Sequence, residues 1–372
     1  MKAWPVPSRL VVWLPTSLGD AVQATAALAA LRDALPSTHI VWAGHRAAHE
    51  ALAGLPSRDG VVPLDGPPRR GPGAVRSAAR MLRAVRADAV VLLDDATGPA
   101  LAARAAGIGR RIGTAPSAMR RRVVNDVVVV PTEGERVLPR PREEHFFDVV
   151  RPLGVSATAA YRPRVVVEAF DAERAARRLE ACPAPGAGGL LLVAPGASSL
   201  ATARMPASRL ADAIRAVRAE HGVVPVVAPG PGEGAEGAAL GAATGAPCLD
   251  LSSAPPDVGE LKGLIARARL VVAADAGPRH LAQALGVPAV VFAGPTDPRL
   301  GRHEGVTWVR REDLGCLGCQ AAPCPLEHHG CLEGLDPRQL ADAIGAALSG
   351  TLPAARTTDE GTGPDLRLDS GA

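Results

Sequence analysis

The stretch Val271–Pro298, VVAADAGPRHLAQALGVPAVVFAGPTDP, sets two apolar runs on either side of a helix-like segment, and each run stops abruptly at small or polar residues. The first run, Leu270–Ala274, predicts a buried strand, with Asp275-Ala276-Gly277 as the turn at its carboxyl end. Pro278 suits the first helical position, where a missing N–H costs nothing. A helix from about Pro278 to Leu285 leaves the amides of Arg279, His280 and Leu281 without intrahelical partners. With the helix macrodipole, those amides would suit an anion such as a pyrophosphate, and Gly277 admits close backbone approach. Taken alone, the segment reads equally well as an ordinary strand–turn–helix, with Asp275 as a local cap and His280 packed on the helix. The second run changes the balance. Ala289–Ala293 ends in Gly294-Pro295-Thr296-Asp297-Pro298, back at the same sheet edge one βα unit later, where Thr296 would lie beside the same anion.

Working outward, the same alternation recurs along the chain. Strands are predicted at Leu10–Leu14, His39–Ala43, Val61–Leu64, Ala89–Leu93 and Val127–Val130, with a helix over Asp20–Leu35 and helical stretches between several of the others. The pattern restarts at Gly189: strand Leu190–Ala194, a polar loop Pro195–Met205, helix Pro206–Glu220, strand Val223–Ala228. Strands alternating with helices imply parallel βαβ units, and strands apolar throughout imply helices on both sheet faces. Two successive doubly wound domains follow, with a cleft between the carboxyl ends of their sheets. Cys182–Gly188, CPAPGAG, reads as the linker, and the tail from Pro353 lacks the apolar content to fold.

Composition sets limits on function. A chain of 372 residues exceeds one ordinary core. No apolar run reaches the roughly 18–20 residues of a membrane span. The first residues, MKAWPVPSRLVVWLP, lack a long apolar segment followed by a small-residue cleavage site, which predicts a cytoplasmic protein. The net charge of +3 comes almost wholly from arginine, since Lys2 and Lys262 are the only lysines. Arg120-Arg121-Arg122 reads as a solvated face before it reads as a nucleic-acid surface, so no nucleic-acid partner is expected. Aromatic residues make up 2% of the chain, which speaks against a lectin that stacks sugar rings on Trp or Tyr. Polar side chains and backbone amides must carry recognition.

The spaced motif Asp275-x-Gly277-x-x-His280 followed by Gly294-Pro295-Thr296-Asp297-Pro298 resembles the nucleotide-binding signature of glycosyltransferase family 9, the ADP-heptose:lipopolysaccharide heptosyltransferases. Ser17-Leu18-Gly19-Asp20 is similar to the family's Ser-x-Gly-Asp loop. Gly196-Ala197-Ser198-Ser199 with Arg204-Met205-Pro206 stands in the place of its phosphate-gripping loop, and a cysteine-rich segment lies near residue 316. The resemblance runs from residue 10 to about 345 in the family's order. It implies a GT-B fold: residues 1–182 as an acceptor-binding Rossmann-like domain, residues 189–350 as the nucleotide-sugar domain, and 353–372 as a disordered tail. It also implies transfer of a sugar, such as a heptose, with inversion from an ADP-sugar to a hydroxyl of a glycan, lipopolysaccharide-core-like or small-molecule acceptor. No catalytic metal or cofactor is implied, and there is no transmembrane segment, although peripheral membrane contact stays open.

In that scheme Asp20 is the general base, within the acceptor loop that holds Ser17 and Gly19. An in-line displacement at an anomeric carbon independently calls for one carboxylate on the attacking face and positive potential on the departing diphosphate. A helix start keeps such a carboxylate ionised. The donor-binding set carried over is Ser198, Ser199, Arg204, Glu233, Asp275, Ala276, Gly277, His280 and Thr296. Ser198 and Ser199 match phosphate contacts, and Glu233 matches the acid that grips the ribose. The chain departs from the family pattern at three points, one of them Pro278, which replaces a residue whose amide could face the phosphate. Arg204 and Met205 precede Pro206, with Ala203 where a lysine is usual, so Arg204 or Arg279 would supply the charge. Ala276 also replaces the usual threonine of Asp-Thr-Gly.

Two further patterns compete. Gly232-Glu233-Gly234-Ala235-Glu236-Gly237 satisfies G-x-G-x-x-G after a strand, and Asp250 follows at the distance of a ribose contact, which makes an NAD-dependent dehydrogenase the alternative. A catalytically inactive sugar-nucleotide-binding homologue is another. Cys316, Cys319, Cys324 and Cys331 are spaced C-x2-C-x4-C-x6-C with His328 and His329 between the last two, a spacing able to hold structural zinc. Free thiols pinning a loop are the plainer reading, and Cys182 and Cys248 read as small apolar residues.

Overall fold

A strand that is apolar on both faces is stable only between two layers of helices, and the chain meets this requirement twice. The computed structural model describes residues 4–64, 71–133, 136–158, 161–182, 188–196, 200–245, 249–301, 304–326 and 328–350. Strands β1 (Arg9–Trp13), β2 (His39–Gly44), β3 (Gly60–Pro63), β4 (Ala89–Leu92), β5 (Arg110–Gly113) and β6 (Asp126–Val127) form a parallel sheet in the order β3-β2-β1-β4-β5-β6. A small antiparallel ribbon follows, β7 (Thr132–Glu133) with β8 (Arg136–Val137). Strands β9 (Leu190–Ala194), β10 (Val224–Val227), β11 (Leu249–Asp250), β12 (Leu270–Ala274), β13 (Ala289–Phe292) and β14 (Val306–Val309) build a second parallel sheet, ordered β11-β10-β9-β12-β13-β14. The two sheets share one doubly wound Rossmann-like topology. Strand order reverses between β1 and β4 and again between β9 and β12, and ligands of such sheets bind beyond the carboxyl ends at these reversals.

Residue alternation sorts the core into three layers. Val11 and Trp13 of β1 face outward with Leu82 and Ala103, on the helices Gly71–Val85 and Thr97–Ala105. Leu191 and Val193 of β9 face the opposite outer layer, with Leu210 and Ile344 on the helices Ala207–His221 and Pro337–Leu348. Leu10 and Val12 of β1 belong to the same apolar cluster as Leu192 and Ala194 of β9. That middle layer runs unbroken from one sheet to the other through the helices Leu18–Ala34, Arg142–Val150 and Gly277–Leu285. It sets the amino ends of the Leu18 and Gly277 helices against each other: a Cβ on Gly277 would lie 2.6 Å from Leu18 Cδ2.

The edges depart from expectation. β5 and β11 carry too few apolar residues in sequence to stand out. Arg110 of β5 is buried because its guanidinium bonds Asp126 Oδ2 (2.8 Å) and the Pro152 carbonyl (2.9 Å). The expected strand Val127–Val130 shrinks to Asp126–Val127, because its partner β5 ends at Gly113, whose carbonyl accepts the Val128 amide (2.9 Å) as the last rung; Val129 is 85% exposed. The tail from residue 351 lies outside the described residues. Among the described residues no helix is long and apolar enough to cross a membrane.

Candidate active site

The β1 loop begins the site. Ser17 caps the Leu18 helix by accepting the Asp20 amide (3.1 Å), which holds Asp20 in the first turn. Arg142, at the start of its own helix, donates to Asp20 Oδ1 at 3.1 Å and lies 3.9 Å from Asp95 Oδ2. Asp95 leaves β4 at the same reversal point. It accepts the Thr114 hydroxyl, and His145 Nε2 stands 3.4 Å away, an ion-pair distance rather than a full hydrogen bond. Burial alone would raise the Asp95 pKa, but His145, the Thr114 hydroxyl and the Arg142 charge together bring it down to about 2. Asp94 accepts the Thr16 hydroxyl (2.6 Å) and the Ala96 amide (2.8 Å). Sequence reading picked out Asp20, Ser17 and Gly19 but missed Arg142, Asp95 and His145. The double carboxylate Asp94-Asp95 at a strand end was the one available signal.

The β12 break sits opposite. His280 is 8% exposed and lies over Gly19, where an added Cβ would approach its Cδ2 to 2.6 Å. Its Nδ1 is buried with no hydrogen-bond partner among the described residues. Burial and the adjacent Arg279 charge hold its pKa well below the ordinary histidine value. The helix starts at Gly277, one residue earlier than expected, so the amides without intrahelical partners shift to Ala276–Arg279. Ala276 donates to the Ala274 carbonyl (2.8 Å) and Arg279 to the Ala276 carbonyl (3.2 Å), while Pro278 has no N–H. This corrects the expected trio of Arg279, His280 and Leu281: among the described residues the Gly277 amide is the one left without a backbone partner. No side chain caps this helix at Ala276.

Asp275 and Arg279 also differ from expectation. Arg279 is 2% exposed, donates to Asp275 Oδ1 at 2.7 Å and stacks 5.1 Å above the Trp308 ring. Its guanidinium is committed to the interior, so it is not the spare charge for a diphosphate. Arg204 remains, about one-third exposed, bonded to Glu236 (2.7 Å) and 3.9 Å from Glu233. Glu233 is buried, accepts the Gly230 amide (2.8 Å) and packs on Gly196, where any Cβ would collide with its carboxylate. Ser198 and Ser199 lie outside the described residues. Thr296 Oγ1 is buried without a hydrogen-bond partner among the described residues. Its loop is braced by the cysteine segment, through Gly318 N to Gly294 O (2.9 Å), Gln320 N to Pro295 O (2.7 Å) and Cys331 packed on Gly294.

The two competing patterns acquire structural explanations. Gly234, Gly237 and Gly241 let their helix press on Ser252 and Asp250, and Asp250 spends one oxygen on the Ser252 amide (2.8 Å). Of the G-x-G-x-x-G glycines, Gly234 and Gly237 thus serve helix packing and Gly232 takes a left-handed turn (φ +84°), all after the second strand of the sheet and away from the reversal point. Cys316, Cys319, Cys324 and Cys331 are free and, with His328 and His329, surround a recess of about 20 Å³. Burial and the neighbouring Cys316 and Cys319 push the Cys331 thiol pKa up. Among the described residues no group of three or more ligating side chains is arranged to hold a metal.

Residues 75–329 match the model of glycosyltransferase family 9 (heptosyltransferase). A 79-residue stretch is 34% identical to lipooligosaccharide heptosyltransferase 2 of Campylobacter jejuni serotype O:2, covering 20% of this chain and 24% of that protein. The chain thus matches only about a quarter of the length of this curated relative. Three solved structures share the fold. E. coli ADP-heptose LPS heptosyltransferase II has a TM-score of 0.71 at 20% identity, over 92% of this chain and 99% of that one. The family 9 glycosyltransferase of Veillonella parvula scores 0.72 at 19%, over 92% and 97%. E. coli heptosyltransferase WaaC with ADP-2-deoxy-2-fluoro heptose scores 0.66 at 19%, over 90% and 98%. The paired sheets are those of a GT-B fold, and nothing in these comparisons supports a dehydrogenase.

Proposed function

The chain belongs to glycosyltransferase family 9, and on that premise we propose that it transfers a heptose, with inversion, from an ADP-linked donor to an acceptor hydroxyl. In this reading Asp20 takes the acceptor proton as the hydroxyl oxygen attacks the anomeric carbon from one face. The bond from that carbon to the diphosphate breaks on the other face, and ADP leaves. Arg142 orients the Asp20 carboxylate and is itself held by Asp95. The Gly277 amide, the unpartnered Thr296 hydroxyl and Arg204 receive the diphosphate, where negative charge grows. Ser198 and Ser199 join them on the β9 loop, and Glu233 binds the ribose. Ala276, which has no side chain to cap its helix, leaves that amino end open to the ligand, and His280 holds the two lobes in register at Gly19.

The observation that carries the reading is the meeting of two strand-end loops from separate sheets: Gly19 beside Asp20 rests on His280, and Leu18 rests on Gly277. That contact brings the loop that carries Asp20 and the start of the Gly277 helix side by side, which supports a reading with the base and the diphosphate site as neighbours. The test is titration with ADP, UDP, GDP and NAD⁺, followed by ADP release from ADP-heptose with an acceptor panel. ADP should bind preferentially. Asp20→Asn should keep that affinity while turnover falls by about 10²–10⁴-fold, the usual worth of a general base. Full turnover in Asp20→Asn removes the base assignment, and NAD⁺ binding that depends on Gly232 and Gly234 removes the transferase.

A further inference from the structure

The cysteine segment is tied into two loops of the second lobe at once. Gly318 and Gln320 donate their amides to the Gly294 and Pro295 carbonyls (2.9 and 2.7 Å). One residue further on, the Ala321 carbonyl accepts the hydroxyl of Thr202 (2.7 Å), a buried residue of the β9 loop. The loops that carry Thr296 and Arg204 therefore share one brace, and Cys319 stands between its first two amides.

The backbone around Cys319 is unusual. Gly318 has φ +75°, and Gln320, which is not a glycine, has φ +56°. A left-handed glutamine persists only where its surroundings hold it, and here the two amide bonds to the Gly294 loop do so. Cys319 is exposed and lines the same recess of about 20 Å³ as the half-buried Cys331. Cys331 in turn packs on Gly294, where an added Cβ would lie 2.6 Å from its Sγ. Both thiols thus flank Gly294, the residue through which the brace reaches Thr296. A recess of this size has room for about one water molecule. A small turn of the Cys319 segment closes such a gap to the separation of about 3.5–4.5 Å between Cβ atoms that a disulfide needs. Cys319 and Cys331 are both free, and among the described residues no three ligating side chains are arranged around a metal, so their placement offers a dithiol.

We propose that Cys319 and Cys331 form a redox-sensitive dithiol, oxidised by a low-molecular-weight disulfide, and that its oxidation releases the Thr296 loop and lowers affinity for the nucleotide donor. The exposed Cys319 thiolate attacks one sulfur of the small disulfide. That S–S bond breaks, a mixed disulfide forms on Cys319, and one small thiol leaves with a proton. Cys331, which burial and the neighbouring Cys316 and Cys319 keep protonated at neutral pH, then gives up its proton and attacks Cys319 Sγ, expelling the second small thiol. The chain loses two electrons and two protons, and the small disulfide is reduced to two thiols. Drawing Cys319 inward turns the Gly318 and Gln320 amides away from the Gly294 and Pro295 carbonyls, and the Thr296 loop loses its support. The effect on the donor rests on the transferase reading; the dithiol chemistry does not.

The test exposes the reduced full-length protein to oxidised glutathione, reads the thiols by intact mass and peptide mapping, and reads ADP affinity by calorimetry. Oxidation should remove two hydrogens from the chain, with the link mapped to Cys319 and Cys331, and dithiothreitol should reverse it. ADP binding should weaken by about 10-fold or more, the worth of one lost hydrogen bond to the diphosphate. Cys319→Ser should bind ADP as the natural protein does and show no response to oxidised glutathione. Cys331→Ser should retain one glutathione on Cys319 and form no internal link. A link mapped to other cysteines, thiols that stay reduced in oxidised glutathione, or an oxidised protein with unchanged ADP affinity would each overturn the proposal. ADP binding by the reduced protein separates the two levels. Its absence sinks the transferase reading and the donor effect with it, whereas its presence without a Cys319–Cys331 link sinks the dithiol alone.

Discussion

Lowering the pH from 7.5 to 5.5 should weaken this protein through His280, by an amount that follows from the fold. The imidazole is 8% exposed, pressed on Gly19, and adjacent to the Arg279 guanidinium. Charging it in place would bury a cation beside another cation, so the folded state resists protonation. The unfolded chain accepts the proton at an ordinary pKa of about 6.5. The unfolded state therefore binds more protons as pH falls through 6.5, and stability declines with it. Between pH 7.5 and 5.5 the unfolded-state partition changes about tenfold, which corresponds to about 1.4 kcal/mol. Urea unfolding at both pH values, for the natural protein and for His280→Gln, isolates this contribution as a difference of differences. The natural protein should lose about 1.4 kcal/mol more than the variant. A histidine proton resonance that is absent from His280→Gln should also fail to titrate near the ordinary histidine pKa of about 6.5. Equal pH dependence of the two proteins, or a His280 resonance that titrates near 6.5, would refute the reasoning.

Asp275→Ala strips the partner from a fully buried guanidinium and should destabilise the second lobe by about 3–5 kcal/mol in denaturant unfolding; a loss below 1 kcal/mol would mean Arg279 finds water or another acceptor. Gly196→Ala pushes the Glu233 carboxylate off its seat, so ADP affinity measured by calorimetry should fall about 10–100-fold, the worth of one charge-assisted hydrogen bond. Unchanged affinity would detach Glu233 from the nucleotide. Asp95, with its folded pKa lowered to about 2, adds stability that is fully present above its unfolded pKa near 3.8 and is lost as pH falls toward 2. After allowance for its partial exposure, the stability gap between the natural protein and Asp95→Asn should narrow by about 1 kcal/mol from pH 6 to pH 3. A gap that widens would show the carboxylate is not held by His145 and Arg142.

The sequence by itself determined the repeated parallel βαβ order, because strands buried on both faces must be apolar along their length. β9 and β12 match the expected spans residue for residue. It also marked the breaks after β1 and β12 that carry Asp20 and Asp275, since a loop glycine next to a helix start is a local signal. Tertiary structure alone decided what those residues touch. β5 hid behind Arg110 and Arg111, whose burial depends on Asp126 and on carbonyls that no periodicity reports. Arg279 looked free for a phosphate until the helix turn set it 2.7 Å from Asp275. Arg142 reaches Asp20 across 122 positions, and His280 meets Gly19 only because the middle apolar layer joins both sheets. Local pattern records which faces are covered; the partner across a gap is set by packing between distant segments, and that leaves no spacing in the sequence to read.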